Sequence, residues 1–152
     1  MYSQGKILYF DPFYFKNNNT SKPKYFIVLH KDSHKAILAA LPSSKDFIPS
    51  FIKITHGCIN ADDINVNCYH FEANKSITTN DWSFDLPTFV YGSQIDTYDL
   101  AMLKDTYKVE GIEYEIIGTL KKEEFTGIVE CFIKSKSVKN KFKRILQTLI
   151  DN

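Results

Sequence analysis

Short apolar and aromatic runs, separated by polar turns, fill the first forty residues of the chain. The runs are 6–10 (KILYF), 24–29 (KYFIVL) and 35–41 (KAILAAL). Their lengths and spacing predict three antiparallel strands of a small curled sheet. Residues 31–33 (KDS) predict a tight hairpin connection between the second and third runs. The composition of residues 17–23 (NNNTSKP) predicts a mobile loop before the second run.

The middle of the chain carries a weaker pattern. Between residues 42 and 85 the better strand candidates are 51–54 and 68–73. Strand-like runs return at 88–95 (TFVYGSQI) and at 112–120 (IEYEIIGTL). Between these two runs, Asp96 or Thr97 can cap a short helix that passes through Leu100, Leu103 and Tyr107.

Two apolar stripes at helical spacing end the chain. Glu123 and Glu124 open the first helix, where the helix dipole favours acids. Ser137 can cap the second helix, over residues 137–151. The apolar stripes that predict the two helices contain Phe125, Ile128, Val129, Phe132 and Ile133, and then Val138, Phe142, Ile145, Leu146 and Leu149. The pattern as a whole predicts one mainly β domain with C-terminal helices, of the α+β class, over residues 1–152.

Length and composition indicate a globular protein. At 152 residues the chain can bury a core without a metal or a disulfide, and 43% of its residues are hydrophobic. No apolar run reaches the ~18 residues of a membrane span, and the first residues (MYSQGKILYF) lack the features of a secretory leader, so we expect a cytoplasmic protein. The three cysteines are then expected to be free thiols.

Charge is distributed unevenly along the chain. Residues 99–130 carry eight acids against four lysines, whereas residues 131–150 carry six basic side chains and no acid. In this basic segment Lys139, Lys143 and Arg144 could contact the phosphates of RNA, or they could simply form a solvated helix face. Arg144 is the chain's single arginine, so any bidentate contact to phosphate by an arginine falls to it.

Several segments, taken together in their order, resemble the PemK/MazF-like growth-inhibitor toxins. The first three strands of that family resemble residues 5–13 (GKILYFDPF), then 22–29 (KPKYFIVL), then 36–44 (AILAALPSS). Residues 94–97 (QIDT) and 117–124 (IGTLKKEE) are similar to two later strand-to-helix segments of the family. The resemblance covers about two thirds of the chain; residues 45–86 would be an insertion and 137–151 an additional helix.

The resemblance implies a small SH3-like curled barrel that forms a homodimer, acts as a metal-independent endoribonuclease and is silenced by a cognate antitoxin protein. It places the catalytic basic residue before the second strand, where this chain has Lys22 and Lys24, and a hydroxyl residue after the third strand, where it has Ser43 and Ser44. The family has arginine at the first position. A lysine supplies a positive charge but cannot make the two parallel hydrogen bonds that a planar guanidinium makes to a phosphate. We therefore expect activity that is weak, shifted in specificity or absent.

Other side chains could complete such a site. His30 and His34 flank the predicted hairpin, and imidazole suits proton transfer near neutral pH, although exposed polar turn residues are the alternative. Tyr14 and Phe15, with Lys16 beside them, could stack and hold unpaired RNA bases. The neighbouring aromatic residues are expected in the core.

Residues 56–70 (HGCINADDINVNCYH) form a near-palindrome of histidines and cysteines. In extended chain His56 and Cys58 point to one side, as do Cys68 and His70, so two such pairs on a hairpin could bind zinc. A Cys58–Cys68 disulfide is a second possibility. Single-residue spacing is unlike ordinary structural zinc sites, so we interpret the four as plain strand and loop residues and expect no metal and no cofactor.

The resemblance thus implies a toxin-like, metal-independent endoribonuclease acting on single-stranded RNA. The alternative is a catalytically inactive module of the same fold that binds RNA or a protein partner.

Overall fold

Antiparallel strands in two sheets and three helices make up the fold in a computed structural model, which describes residues 2–15, 21–41 and 52–150. The strands of these residues are β1 (Lys6–Tyr14), β2 (Ser21–Lys31), β3 (Lys35–Leu41), β4 (Gly57–Ala61), β5 (Val66–Phe71), β6 (Thr88–Tyr91), β7 (Ile95–Asp99) and β8 (Tyr114–Thr119). The helices are α1 (Leu100–Thr106), α2 (Lys122–Lys134) and α3 (Asn140–Ile150). The α+β class with C-terminal helices is confirmed.

The main sheet has five strands in the order β7-β3-β2-β1-β8, and its neighbouring strands are antiparallel. Its two outer strands, β7 and β8, do not pair with each other, so among the described strands the sheet is not closed into the predicted barrel. Of the mobile loop predicted over residues 17–23, residues 21–23 belong to β2, and residues 17–20 lie outside the described residues.

The predicted hairpin between β2 and β3 is confirmed. Asp32 N donates to Lys35 O at 2.9 Å, and Asp32 Oδ1 accepts 2.7 Å hydrogen bonds from the backbone N–H groups of His34 and Lys35. A short aspartate side chain that bonds to its own turn in this way is the usual reason for aspartate at such positions. These hydrogen bonds hold the pKa of Asp32 below its ordinary value.

A second sheet contains three strands in the order β4-β5-β6. Strand β5 overlaps the predicted 68–73 run, but β4 was not predicted, and residues 52–54 of the predicted 51–54 strand are not in a strand. The 88–95 run is divided by a 3₁₀ turn, Gly92–Gln94, into β6 and β7, which belong to different sheets. Hydrophobic content alone does not reveal such a change of sheet.

The three helices lie close to where they are expected, with two differences in capping. Ser137 does not cap α3, because the helix begins only at Asn140 and the Ser137 hydroxyl lies 2.8 Å from that of Ser135. The N-cap of α1 is Asp99, whose Oδ1 accepts a 3.0 Å hydrogen bond from Met102 N, whereas Asp96 and Thr97 lie in β7. The segment before the helix is extended because it pairs with β3, and the cap therefore moves to the last residue of the strand.

Two core clusters lie on the opposite faces of the main sheet. One contains Ile7 and Ile27 together with buried residues of α2 and α3; we call this side the helix face. The other contains Phe10 and Phe26 together with Leu103 of α1; we call it the α1 face. Alternate residues along β1 and β2 supply the two clusters, as strand geometry requires.

Two of the three cysteines are bonded to each other. Cys58 of β4 and Cys131 of α2 form a disulfide with Cα atoms 5.5 Å apart, so the expectation of free thiols is wrong for both and the Cys58–Cys68 alternative is also wrong. Cys68 is free and buried, and burial raises the pKa of its thiol to about 11. None of the helices in the described residues has the length and apolarity that a membrane crossing needs.

Candidate nucleic-acid interface

An aromatic cavity of about 370 Å³ lies on the α1 face of the main sheet. The residues that line it come from the end of β1, from β7 and from α1 with the residue that follows it: Phe13, Tyr14, Phe15, Tyr98, Met102, Leu103, Thr106 and Tyr107. Aromatic rings therefore form most of its wall, and such walls suit flat, unpaired bases.

An irregularity in β1 produces this cavity. The register between β1 and β2 shifts between Phe10 and Phe13, and both rings consequently lie in the cluster of the α1 face, although an odd spacing would otherwise separate them. The ring centroid of Phe13 lies 4.6 Å from Phe26, 5.9 Å from Tyr98 and 5.5 Å from Tyr107. The end of the β1–β2 hairpin thus curls over the sheet toward α1.

Tyr107 fixes the hairpin to the helix end. Its hydroxyl accepts a 2.9 Å hydrogen bond from Tyr14 N, and its ring is stacked on those of Phe13 and Tyr14, at 13° and 19°. The cavity wall is therefore held by packing and by a hydrogen bond between two segments far apart in the sequence.

Both lysines predicted from the resemblance lie beside this cavity. The ammonium nitrogen of Lys22 is 5.8 Å from the centroid of the Phe15 ring, and that of Lys24 is 5.9 Å from it. Both distances are within the range of a cation–π contact. The Lys22 side chain is exposed and Lys24 is buried, so the pair combines a solvent-facing cation with one set into the surface.

The cavity opens to solvent past two exposed apolar side chains. Tyr14 is 56% exposed and Met102 is 47% exposed, although both line an otherwise aromatic recess. Sequence reasoning had identified Tyr14 and Phe15 but not Tyr98, Met102 or Tyr107. The sequence feature that indicates these residues is Met102, an apolar residue on the exposed side of a short helix between Tyr98 and Tyr107.

The remaining predicted catalytic residues are elsewhere or outside the described residues. Ser43, Ser44 and Lys16 lie outside residues 2–15, 21–41 and 52–150. The last described residue of β3, Leu41, pairs with Tyr25, which is next to Lys24 in the chain. His30 lies near the other end of β2, about 20 Å of strand from Lys24, and His34 lies in the turn that follows β2. Neither histidine is among the residues lining the cavity.

The basic helix α3 lies on the opposite side of the main sheet. Its buried residues Phe142 and Leu146 belong to the cluster of the helix face. Lys143 and Arg144 line a shallow groove with Ile133, Asn140 and Gln147, and Lys139 borders a smaller recess beside Gly92. Those predicted RNA-binding residues that the structure describes thus divide into two sets, Tyr14 and Phe15 on the α1 face and Lys139, Lys143 and Arg144 on the helix face.

The near-palindrome forms β4 and β5 and does not bring its four predicted ligands together. Cys58 pairs with Tyr69 and faces α2, where it bonds Cys131. Cys68 points to the opposite face, into a small cluster with Ile59 and Val66. His70 Nδ1 donates to Thr55 O at 2.9 Å. In the part of the chain that the structure describes, no three metal-ligating side chains are grouped as a metal site.

A buried carboxylate joins the second sheet to α2. Glu124 is 6% exposed, and its Oε1 accepts 2.7 Å hydrogen bonds from Tyr69 OH and from His56 Nε2. His56 Nδ1 accepts from Glu72 N at 3.0 Å, which places the imidazole proton on Nε2. Both partners thus donate, and the carboxylate is compensated without a cation.

Gly127 allows this network to form. It lies one helical turn after Glu124, and a methyl group at this position would meet the Tyr69 ring and hydroxyl at 3.1 Å. Sequence reasoning assigned Glu124 to the helix dipole. Its position four residues before Ile128, on the apolar stripe, was the signal that it is buried.

Comparison with models of protein families and with curated proteins finds no match to this chain.

Proposed function

We propose that the protein binds single-stranded RNA at the aromatic cavity of the α1 face. One observation carries the proposal: the ammonium groups of Lys22 and Lys24 both lie within 6 Å of the Phe15 ring, at the edge of a cavity built mostly from aromatic rings. Cations beside stacking surfaces are the combination that recognises an unpaired base and its phosphate at once.

The size and chemistry of the cavity support a bound base. Its volume of about 370 Å³ leaves room for one nucleobase and part of its ribose. Stacking of a base on an aromatic side chain contributes about 1–3 kcal/mol, and it tolerates any base because every base has a π face. We therefore expect affinity with modest sequence preference from this cavity alone.

Charge supports one orientation of the RNA. Lys22 and Lys24 lie on the side of Phe15. On the α1 side, the acids Asp99 and Asp105 are balanced by Lys104 and Lys108, and Asp105 Oδ1 lies 3.5 Å from Lys108 Nζ. The excess positive charge is therefore on the Phe15 side, which attracts phosphates. The backbone would then run along Phe15 and the end of the β1–β2 hairpin, with the base pointing toward Tyr107.

The stronger form of the proposal is a PemK/MazF-like endoribonuclease. Its support is the order of the family-like segments and the position of Lys22 and Lys24. Cleavage without metal needs only alignment of the 2′-hydroxyl, proton transfer and stabilisation of charge on phosphorus. Lys22 or Lys24 would stabilise that charge, and Ser43 or Ser44 would hold a phosphate oxygen. The SH3-like barrel, a homodimer and a cognate antitoxin belong to this form of the proposal, and the open edges β7 and β8 are a departure from it.

Binding is tested with a fluorescently labelled, mixed-sequence single-stranded RNA, by anisotropy at several salt concentrations. We expect Tyr14→Ala and Phe15→Ala to weaken binding at least about fivefold, as the loss of one stacked base would. Lys22→Ala should reduce the slope of log K against log salt by about 0.7. Lys31→Ala, an exposed lysine at the other end of β2, is the matched control and should change neither quantity. Equal losses in Lys31→Ala and Lys22→Ala would contradict the site.

Cleavage is tested separately with the same RNA in the presence of a chelator. The endoribonuclease form predicts products from the wild-type protein, and a lower rate in at least one of Lys22→Ala, Lys24→Ala, Ser43→Ala and Ser44→Ala. Tight RNA binding with no product would favour the binding module instead. Full activity in all four variants would remove these residues from the catalytic assignment.

A further inference from the structure

A row of three side chains crosses the main sheet on the helix face, away from the aromatic cavity. Glu115 of β8 pairs with Tyr9 of β1, and Tyr9 pairs with Tyr25 of β2. Directly paired residues of antiparallel strands point to the same face, so the carboxylate and the two phenol rings are neighbours. Tyr25 packs at the margin of the cluster that contains Ile27, which fixes the face on which the row lies.

A tryptophan extends this row into an aromatic strip. The ring centroids of Tyr9 and Tyr25 are 4.6 Å apart, and those of Tyr25 and Trp82 are 5.9 Å apart. We call Tyr9, Tyr25 and Trp82 the aromatic strip. All three side chains are only partly buried, in contrast to Phe84, which packs behind Trp82 and is 7% exposed. The strip is therefore an accessible edge of the core.

The charged side chains that act on the tyrosines of the strip are carboxylates. Burial raises the pKa of Tyr9, and Asp11 and Glu115 raise it further. Burial also raises the pKa of Tyr25, with smaller contributions from Tyr9, Glu115 and Asp85. Asp11, Asp85 and Glu115 are all exposed, so their carboxylates are available to a partner.

Partly exposed rings beside carboxylates favour one kind of ligand. A guanidinium group stacks on an aromatic face and donates two parallel hydrogen bonds to a carboxylate, whereas phosphates would be repelled. We propose that the aromatic strip, with Asp11, Asp85 and Glu115, binds an arginine-rich segment of a protein partner. Glu115 and Tyr9 form the central position, because the register places them side by side.

This surface is separate from the proposed RNA site. The strip lies on the helix face and the cavity lies on the α1 face, on alternate residues of the same strands. The two proposals rest on different side chains, so either can fail without the other.

Binding at the aromatic strip can be followed by the fluorescence of Trp82, because it is the single tryptophan of the chain. A short, blocked peptide in which arginine alternates with glycine is titrated into the full-length protein, and tryptophan emission is recorded together with the anisotropy of the labelled peptide. We expect a saturable change, and weaker binding of the lysine counterpart by about fourfold, since lysine lacks the planar fork.

Variants locate the binding. Glu115→Gln, at an exposed position of the edge strand, should weaken binding of the arginine peptide by about fourfold and leave the urea midpoint of unfolding unchanged. Glu130→Gln, an exposed glutamate of α2, removes the same charge elsewhere and should leave binding unchanged. Tyr9→Phe keeps the ring and should retain binding, whereas Tyr9→Ala should lose about fourfold or more.

Three results would overturn the proposal. They are no saturable signal in either readout, equal affinity for the arginine and lysine peptides, and equal weakening by Glu130→Gln and Glu115→Gln. The last two would mean that the peptide responds only to overall negative charge.

Discussion

The hydroxyl of Tyr69 donates a 2.7 Å hydrogen bond to Oε1 of Glu124, and this bond connects the middle strand of the second sheet with the first turn of α2. His56 Nε2 donates to the same oxygen at 2.7 Å. The two donors make a buried carboxylate tolerable where an apolar residue would be expected.

Removing the carboxylate should leave the buried Tyr69 hydroxyl and the partly buried His56 N–H without an acceptor. We expect Glu124→Ala to lower the free energy of unfolding by about 3 kcal/mol, and Tyr69→Phe, which removes only one donor, to lower it by about 1–2 kcal/mol. Urea denaturation measures both. Glu123→Ala, at the exposed neighbour in the same helical turn, is the matched control and should stay within about 0.5 kcal/mol. A Glu124→Ala variant as stable as Glu123→Ala would show that the network contributes nothing.

Adding a methyl group to α2 at Gly127 should destabilise the protein. Alanine favours helix by about 1 kcal/mol over glycine, but its Cβ would meet the Tyr69 ring at 3.1 Å. Because the Tyr69 hydroxyl is bonded to Glu124, the ring cannot move away freely. We expect Gly127→Ala to lower the unfolding free energy by about 1–2 kcal/mol. A stability gain in Gly127→Ala would mean that Tyr69 relaxes at no cost.

The Cys58–Cys131 bond should make stability depend on the redox state. It closes a loop with a sequence separation of 73, and a chain-entropy estimate for such a loop is about 4 kcal/mol. We expect reductant to lower the urea midpoint of the wild-type protein. A Cys58→Ser, Cys131→Ala double variant should already be low and should not respond to reductant. Thiol titration of the denatured, unreduced protein should find one free thiol, Cys68, and three free thiols would contradict the bond.

Buried tyrosines should make the protein less stable in alkali. Burial raises the pKa of Tyr98 to about 12, with Asp96 adding to the effect, and burial also raises the pKa values of Tyr2 and Tyr69. The unfolded chain releases these protons near pH 10, whereas the folded protein retains them. Their contribution is therefore complete below about pH 10 and is lost as the pH rises toward the folded-state values.

Denaturation in urea at about pH 9 and about pH 11, with tyrosinate absorbance recorded in parallel, measures this loss. The urea midpoint should fall between the two conditions. Tyr98→Phe should reduce the fall, because it removes one of the retained protons. An equal fall in Tyr98→Phe and wild type would exclude Tyr98 as a contributor.

In residues 6–41 the short-range sequence pattern predicts the strands and the turn, but not which residues share a face of the sheet. Alternation and turn chemistry predicted three strands and the Asp32 hairpin, because both are short-range effects of side-chain geometry. The same reasoning placed Phe10 and Phe13 in the core but not on one face. The register shift that brings them together depends on the pairing with β2, which has no local signature.

The candidate site likewise contains residues that were predicted from the sequence and residues that only the structure brings to it. Lys22, Lys24, Tyr14 and Phe15 were predicted from the sequence and lie together, because they are near neighbours across one hairpin. Tyr98 and Tyr107 complete the cavity from segments that are distant in the chain from Tyr14 and Phe15. Their approach follows from packing on the α1 face, which a single sequence does not encode in any fixed spacing.

The sequence by itself determined the class of fold, the positions of the C-terminal helices, and Tyr14 and Phe15 as aromatic residues at the end of β1, since these depend on periodicity and on neighbouring residues. Only the tertiary structure decided that the main sheet stays open, that Cys58 bonds Cys131 and not Cys68, and that Glu124 is buried against Tyr69 and His56. The physical reason is that each of these features joins segments distant in the chain, and the packing of α2 against the second sheet selects the partners.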